Sequence, residues 1–355
     1  MNAFIRSGLP RVPRASWGYR QRGFSLIELM VALTLALLIL VGLSALFANT
    51  SVARSEIDKA SRQIENGRFA LQALGDDIRH AGYYGALSNA PVAPTIWPND
   101  PCSTALSDVR DAIGLPLQGY AGGAVAPLTC LDGYKPQTGV VVVRRASTAV
   151  PAAAAAASAF NIQVSGCAGD ASPYLLDAPS GTFNLHSNLA PGCLPLTGAP
   201  AAGISPFFVR IYYISCNTDS AVACGAAGAD GVPTLQRIEV TPLGADATPV
   251  VDGIEDMQFD YGMDTDAVGA AGYGAPDVYT NTSAHVSLTP TTVAEWENVL
   301  SVKIYLLARN VDRTGSYSDV KTYSLGPVSL TPGGPYKRHA YAEVVRVNNP
   351  AGRRE

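Results

Sequence analysis

Residues 22–47 read RGFSLIELMVALTLALLILVGLSALF, and Glu28 is the one charged residue of this segment after Arg22. The apolar run from Phe24 to Ala48 has 25 residues, whereas a helix needs about 20 apolar residues to cross a bilayer. A helix satisfies its backbone hydrogen bonds internally, so it is the form that such a run takes in lipid. A charge at the centre of a membrane helix costs about 2.5–3.5 kcal/mol on the lenient insertion scale. The sequence therefore predicts a membrane helix in which the Glu28 carboxylate needs a partner.

The six residues from Gly23 to Glu28 (GFSLIE) resemble the cleavage and methylation motif of type IV prepilins. The resemblance implies that a membrane aspartyl peptidase, the prepilin peptidase, removes residues 1–23 as a leader and methylates the new amine of Phe24. It also implies that Glu28 pairs with the Phe24 amine of a neighbouring subunit, because two buried charges that are costly alone are tolerated together. The alternative is an ordinary signal anchor with a chance glutamate, which the ordered match disfavours.

The charge distribution predicts the orientation in the membrane. Residues 1–22 contain no acid and five arginines: Arg6, Arg11, Arg14, Arg20 and Arg22. By the positive-inside rule this end stays in the cytoplasm and the rest is translocated. A secretory signal peptide has a shorter apolar core, followed by a small-residue cut site. Here the candidate cut site precedes the apolar run, so we expect a single-pass inner-membrane protein with a periplasmic C-terminal domain.

The overall composition excludes two classes of protein. Charged residues make up 15% of the 355 residues, hydrophobic residues 47%, and the net charge is −4. These values are typical of a globular domain with a membrane helix rather than a disordered polyelectrolyte. A mild negative charge also gives no reason to expect a nucleic-acid partner.

All six cysteines follow the membrane segment, as expected of disulfides in an oxidising compartment. Cys216 and Cys224 bracket a short polar loop and form the first predicted pair. Proximity in the sequence suggests Cys102–Cys130 and Cys167–Cys193 as the other two pairs. A zinc site is the alternative, but no C-x-x-C occurs and the histidines are scattered, which disfavours it.

The hydrophobic pattern divides the chain into four parts. After the leader (1–23) and the transmembrane half of a long helix (24–48), an amphipathic half (49–81) ends before Gly82, a helix-ending glycine. A stripe at spacings of three and four predicts its buried face: Ile57, Ala60, Ile64, Gly67, Leu71, Leu74 and Ile78. We expect this stripe to pack on a β-rich domain, residues 82–355.

The strand signals of this last part are β-branched and aromatic runs. They lie at residues 139–145, 207–214, 234–241, 250–261, 299–308 and 340–347. Residues 82–138 resemble the irregular variable loop of pilins, with a short helix near 103–113, and residues 161–205 read as loop. Trp296 is expected on a short helix that anchors the core. The sequence thus predicts a disulfide-stapled α+β fold of the pilin type, in which five or six antiparallel strands lie against the helix.

Two further segments narrow the resemblance. Residues 76–85 (DDIRHAGYYG) and 253–262 (GIEDMQFDYG), followed by Trp296 and residues 302–304, resemble the minor pilins of the PilW type. Residues 86–250 match no known pattern. Major pilins usually have a proline in the middle of the membrane half, whereas this chain has only Gly42 there.

Motifs for catalysis, metal binding or cofactor binding are not apparent in the sequence. The four histidines (His80, His186, His285 and His339) have no partner at a useful spacing, and Asp264-Thr265-Asp266 is read as a polar turn rather than a calcium loop. The basic pairs Arg144-Arg145 and Lys337-Arg338 are too small for nucleic-acid recognition. We therefore expect no enzyme activity, no metal and no cofactor.

Three functional hypotheses follow. The first is a minor pilin that helps to start type IV pilus assembly and stays near the fibre tip, with other minor pilins, the major pilin and the prepilin peptidase as partners. The second is a pseudopilin of a type II secretion system, which has the same leader and helix. The third, from another class, is a tip-located adhesin whose residues 86–250 bind a ligand.

Overall fold

The computed structural model describes residues 23–87, 91, 93–94, 100–187, 200–280, 289–326 and 328–354. The chain divides into two compact units between Ser55 and Glu56. Helix α1 (Leu26–Arg79) begins in the first unit and ends in the second. Within the described residues, α1 is the one helix that is long and apolar enough to cross a membrane. This confirms the long N-terminal helix expected from the sequence.

A glycine ends α1 as predicted. Gly82 has a φ of +73°. Glycine adopts this conformation at little energetic cost because it has no side chain. Its N–H donates to the carbonyl oxygen of Arg144 at 2.9 Å. The end of α1 is therefore tied directly to the β-rich part of the chain.

The described residues after α1 contain three short helices and thirteen strands. The helices are α2 (Leu106–Asp111), α3 (Val293–Glu297) and α4 (Asn348–Gly352). The strands are β1 (Leu117–Tyr120), β2 (Val140–Ala146), β3 (Phe160–Val164), β4 (Tyr174–Asp177), β5 (Ile204–Ser215), β6 (Thr234–Val240), β7 (Ala247–Asp252), β8 (Ile254–Met263), β9 (Val278–Tyr279), β10 (Val299–Arg309), β11 (Tyr323–Leu325), β12 (Val328–Leu330) and β13 (Arg338–Arg346).

These strands form three antiparallel sheets. In the seven-stranded sheet the order is β1-β2-β5-β3-β4. Strand β6 pairs with the C-terminal part of β5, on the edge opposite β2, and with β7. The four-stranded sheet has the order β13-β10-β8-β9, and β11-β12 form a hairpin. The α+β fold with α1 on antiparallel strands is as predicted, but the expected five or six strands in one sheet were too few.

The main core lies between α1 and both large sheets. Ala70, Leu74 and Ile78 of α1 are fully buried in a cluster with Tyr212 of the seven-stranded sheet and Ile304 of the four-stranded sheet. A second cluster covers the opposite face of the seven-stranded sheet with α2 and the segment after α1. The seven-stranded sheet is therefore buried on both faces, which explains why its β2 reads as the continuous run VVVV.

Trp296 anchors this core as expected. It lies on α3, is 2% exposed, and meets Tyr261 edge-on with a centroid distance of 4.8 Å. Thr292 caps α3 in a reciprocal capping box with Glu295. The cap fixes the start of the helix and thereby the direction of Trp296.

Two strand predictions were wrong. Residues 161–205 were expected to be loop but contain most of β3 and all of β4, whose short segments lack a long β-branched run. Residues 250–261 were expected to form one strand but belong to β7 and β8, which lie in different sheets. Gly253, with a φ of +78°, separates the two strands, and a Cβ there would stand 2.7 Å from the carbonyl oxygen of Arg309.

The predicted stripe on α1 was only partly right. Gly67, Leu74 and Ile78 are buried, whereas Ile57 is 64% and Ile64 44% exposed. Gln63 is buried because its amide donates to the backbone oxygens of Ala308 and Lys337, at 2.7 and 3.0 Å. This part of α1 therefore packs on strand-end carbonyls rather than on apolar side chains, which a hydrophobic pattern does not reveal.

Disulfides join Cys102 to Cys130 and Cys216 to Cys224. The paired cysteines are 28 and 8 positions apart in the sequence, respectively. The expectation of a disulfide-stapled fold is thereby confirmed. Cys193, the expected partner of Cys167, lies outside the described residues, as do Arg6, Arg11, Arg14, Arg20, Arg22 and His285.

Candidate assembly site

The start of α1 holds the predicted cleavage site. Gly23 and Phe24 precede the helix in an irregular segment, and Phe24 is 82% exposed. Ser25 accepts a hydrogen bond on its side-chain oxygen from the N–H of Glu28 at 3.2 Å. Ser25 therefore acts as an N-cap. A Cβ added at Gly23 would meet no atom within 4 Å, so among the described residues nothing packs beside the bond between Gly23 and Phe24.

Glu28 lies in the first turn of α1 and is exposed. Among the described residues, no ion pair includes its carboxylate. The helix macrodipole is positive at this end, which favours an acidic side chain and disfavours an amine. The position of Glu28 therefore suits the dipole of its own helix.

The apolar part of α1 offers a continuous surface for other helices. Its large side chains are exposed, from 53% for Val31 to 78% for Leu26. Thr34 donates its hydroxyl to the carbonyl oxygen of Val31 at 2.9 Å, so this polar group is satisfied within the helix. Such a surface suits a bilayer or a bundle of apolar helices.

Asp77, near the other end of α1, lies in a very different place. It is 4% exposed. Its carboxylate pairs with Arg145 on β2 at 2.7 Å and with Arg210 on β5 at 2.9 Å. It also accepts a hydrogen bond from the hydroxyl of Tyr212 at 2.5 Å. The Phe208 ring lies under both guanidinium groups, 5.2 and 4.4 Å from their carbon atoms.

This cluster fixes α1 to the seven-stranded sheet. Burial alone would raise the pKa of Asp77, but the charge of Arg210 and the hydrogen bond from Tyr212 outweigh it and hold the pKa below its usual value. Burial and the Asp77 charge raise the pKa of Tyr212. The sequence analysis missed the cluster, although an acid between the buried Leu74 and Ile78 was a signal that it needed a partner.

The other polar residues singled out in the sequence hold the fold together locally. His186 pairs with Asp170 at 2.7 Å, a partner that the sequence analysis did not foresee. Arg144 is buried and donates to the Leu115 oxygen at 3.0 Å and to Gln118 at 2.9 Å. Burial lowers the pKa of Arg144 to about 10.

Three carboxylates gather at the loop after β8. The oxygens of Asp264, Asp266 and Asp277 lie within 4.8 Å of one another. Asp264 is paired with Arg354 at 3.0 Å and accepts from the N–H of Gly274 at 2.8 Å. Asp277 accepts hydrogen bonds from the N–H and the hydroxyl of Thr265 at 3.1 and 2.8 Å. These contacts hold Asp264 and Asp277 within the loop structure, and we assign no ion to the three acids.

Two family models match the chain. Residues 18–44 match the prokaryotic N-terminal methylation motif, a range that contains Gly23, Phe24 and Glu28. Residues 211–349 match the type IV pilus-assembly protein W model, a range that begins within β5 and ends in α4. No curated protein gives a significant match, and no solved structure does. Residues 76–85 lie outside both ranges, so their resemblance stays a prediction. Residues 211–250 lie inside the second range, so the expectation that residues 86–250 match no known pattern was wrong for them.

The methylation motif and the apolar half of α1 together indicate a chain anchored in a membrane, with its C-terminal domain outside the bilayer. The chain thus combines a prepilin-type N-terminal methylation motif with a domain of the type IV pilus-assembly protein W kind.

Proposed function

We propose that this chain is a minor pilin, which helps to start assembly of a type IV pilus and is incorporated at or near the fibre tip. The observation that carries the proposal is the occurrence of the methylation motif and the PilW-type match in one chain. The role is structural: the chain is a substrate of the prepilin peptidase, and its partners are other minor pilins and the major pilin.

The proposal assigns a task to each part of the chain. Residues 1–23 are the cleaved leader, and residues 24–48 cross the inner membrane once. Residues 49–81 form the outer half of the helix, and residues 82–355 form a globular domain in the periplasm. After assembly the same domain lies on the surface of the fibre.

Docking follows from the chemistry at the start of α1. Cleavage after Gly23 creates an amine on Phe24, two residues before the first helical residue, Leu26. The positive end of the helix dipole disfavours that cation, and apolar surroundings disfavour both it and Glu28. When Glu28 pairs with the Phe24 amine of a neighbouring subunit, the cost of each charge is relieved by the other. Because a polar pair in an apolar helix seam specifies register, it also sets the axial position of each subunit.

Processing is tested with a pair of glycine variants, expressed as full-length chains in cells that lack the native copy. Gly23→Val should block cleavage, because the side chain fills the space beside the scissile bond. Gly42→Val makes the same change further along the membrane segment, where a Cβ also meets nothing within 4 Å. It should be processed normally. Immunoblots report the size of each product, and a mature-sized Gly23→Val band would contradict the proposal.

Incorporation is tested by mass spectrometry of sheared surface fibres. We expect a peptide that begins at methylated Phe24. Fibres that contain the chain with its arginine-rich leader, or that never contain the chain, would refute the minor-pilin role. Loss of secreted enzymes with intact twitching motility in the deletion strain would assign the chain to a secretion system instead.

A further inference from the structure

The outer half of α1 leaves two exposed flanks on either side of its packed face. With 100° per residue, Ile57, Ile64 and Arg68 fall on one flank, which we call the basic flank. Asp58, Glu65 and Phe69 fall on the other, which we call the acidic flank. Ile57, Ile64 and Phe69 are 64%, 44% and 53% exposed. The basic flank therefore presents two isoleucines beside Arg68, and the acidic flank presents Phe69 beside two carboxylates, with the exposed Arg62 at its far border.

A groove of about 450 Å³ runs along the basic flank, between α1 and β13. Its lining includes Ile64, Arg68, Lys321, His339 and Tyr341. Arg68 and Lys321 are exposed, and in the described part of the chain neither side chain forms an ion pair. Their charges are thus available to a partner.

Two further cations of the groove, Lys337 and Arg338, are already neutralised. Lys337 pairs with Glu56 at 2.7 Å. Arg338 pairs with Asp319 at 3.0 Å and with Glu255. The attraction for an anion therefore depends on Arg68 and Lys321.

The floor of the groove contains an unsatisfied polar group. The Tyr341 ring lies against Gly67, where a Cβ would stand 2.3 Å from a ring carbon, so the glycine creates the space that the ring fills. The Tyr341 hydroxyl is buried and has no hydrogen-bond partner in the described structure. This hydroxyl thus lacks the acceptor that buried donors usually have in native structures.

The opposite groove differs in charge. It has a volume of about 510 Å³ and is lined by Glu65, Asn66, Phe69, Val250 and Asp252, among others, with no basic residue. One helix therefore separates a basic groove from an acidic one. Surfaces with opposite charges on two sides of one subunit suit a head-to-tail contact between neighbours.

We propose that the basic groove receives the acidic flank of the α1-type helix of a neighbouring pilin subunit. The expected partner helix carries carboxylates about two turns apart beside an apolar residue, the arrangement that Asp58, Glu65 and Phe69 have in this chain. The inference rests on the proposed function, because it takes the neighbour to be another subunit with a methylation motif.

The charges favour a helix over a membrane or a nucleic acid. Recognition of anionic lipid uses clusters of about 4–8 basic residues, whereas the groove offers two cations without an ion pair among the described residues, next to the exposed Ile64. Such a surface matches a partner that is apolar with a few acids. Rim charges of this kind select a partner and its orientation more than they add affinity.

The test uses the full-length chain in cells that lack the native copy, with a photoreactive benzoylphenylalanine in place of Ile64. We expect a covalent adduct whose partner peptide comes from the helix of a pilin subunit and contains an aspartate or glutamate. The double variant Arg68→Glu/Lys321→Glu should reduce the adduct by roughly tenfold, because it places like charges across the contact.

Arg62→Glu is the matched control. It reverses one charge on the same helix, away from the basic flank, where Arg62 is 66% exposed and forms a 3.8 Å pair with Asp312. It should leave the Ile64 adduct unchanged. Equal urea midpoints for both variants and the native chain show that all three are folded.

The outcomes separate this inference from the proposed function. If fibres contain mature chain but the Ile64 probe gives no pilin adduct, or captures only lipid, the groove inference is overturned and the minor-pilin role stands. An adduct that charge reversal does not reduce also overturns it. If the chain is absent from fibres and from pilin complexes, both proposals fail.

Discussion

The two ends of α1 carry acids in opposite situations. Glu28 is exposed among apolar side chains and has no ion pair within the described residues, whereas Asp77 is buried between Arg145 and Arg210. A carboxylate thus has no ion-pair partner among the described residues in one half of the helix, and has two in the other half. Asp77 finds its partners within the chain and stabilises the fold, whereas Glu28 has none among the described residues, and we propose that its partner is the Phe24 amine of another subunit.

The largest effect is expected from Asp77→Ala. Removing the carboxylate leaves Arg145 without its counter-charge and Arg210 with Glu239 alone, and breaking a largely buried pair of this kind costs about 3–5 kcal/mol. Urea unfolding of the full-length chain in detergent, followed by tryptophan fluorescence, measures the loss. A change below about 1 kcal/mol would show that Asp77 does not fix α1 to the sheet.

The pH dependence of stability sharpens the same point. Because the pKa of Asp77 is lowered below 3.8 in the fold, its charge stabilises the fold above the unfolded pKa, and this contribution is lost as the pH falls through the folded pKa. The difference in unfolding free energy between the native chain and Asp77→Asn should be constant from pH 7 to 5 and shrink below about pH 4. A difference that is the same at pH 3 and pH 7 would exclude a charge effect.

An intermediate effect is expected from Glu28→Gln, and it should appear in assembly rather than in folding. The unfolding free energy should change by less than about 0.5 kcal/mol, because Glu28 is exposed in the isolated chain. Incorporation into fibres should fall by about tenfold or more, since the amine of the neighbour loses its counter-charge. Glu28→Asp keeps the charge and should retain part of the incorporation. If fibres contained as much of the Glu28→Gln variant as of the native chain, the proposed role of Glu28 in assembly would be wrong.

The smallest effect is expected from Asp76→Ala, the residue before Asp77. Asp76 pairs with Arg79 at 3.0 Å, but its side chain is 57% exposed. Surface pairs of this kind contribute about 0–1 kcal/mol, and the same urea experiment should give a loss in that range. If Asp76→Ala lowered the free energy of unfolding as much as Asp77→Ala, the effect of Asp77→Ala could not be assigned to the buried cluster. It would then reflect a sensitivity of the whole end of α1 to substitution.

The membrane half of α1 could be predicted well because its signal is local. A run of 25 apolar residues and a six-residue motif need no knowledge of distant residues. Gly82 and Trp296 were also found, because a helix end and a short capped helix depend on neighbouring residues. The predicted functions of Gly23, Phe24 and Glu28 remain predictions until processing and assembly are measured.

The outer half of α1 could not be predicted as well because its contacts are distant in sequence. Gln63 is buried by bonds to residues about 245 and 274 positions away, and Asp77 by arginines 68 and 133 positions away. A hydrophobic pattern assigns polar residues to the surface and apolar residues to the buried face. It therefore predicted that Ile57 and Ile64 are buried and that Gln63 is not. The sheets were underestimated for a similar reason, since β3 and β4 depend on β5 for their pairing.

Strand β5 has a consequence for engineering and for comparison among relatives. The match to protein W begins at residue 211, in the middle of β5, yet β2 and β3 from the preceding, unmatched region hydrogen-bond to this same strand. The region before residue 211 is thus hydrogen-bonded into the same sheet as the matched residues and is not a separate insertion. Deletion of residues 86–250 would unfold the sheet. A loss of adhesion after this deletion would therefore reflect unfolding of the domain and not the removal of a ligand-binding site. Chimeras between relatives should instead exchange single inter-strand loops and keep the register in which Val141 faces Tyr212.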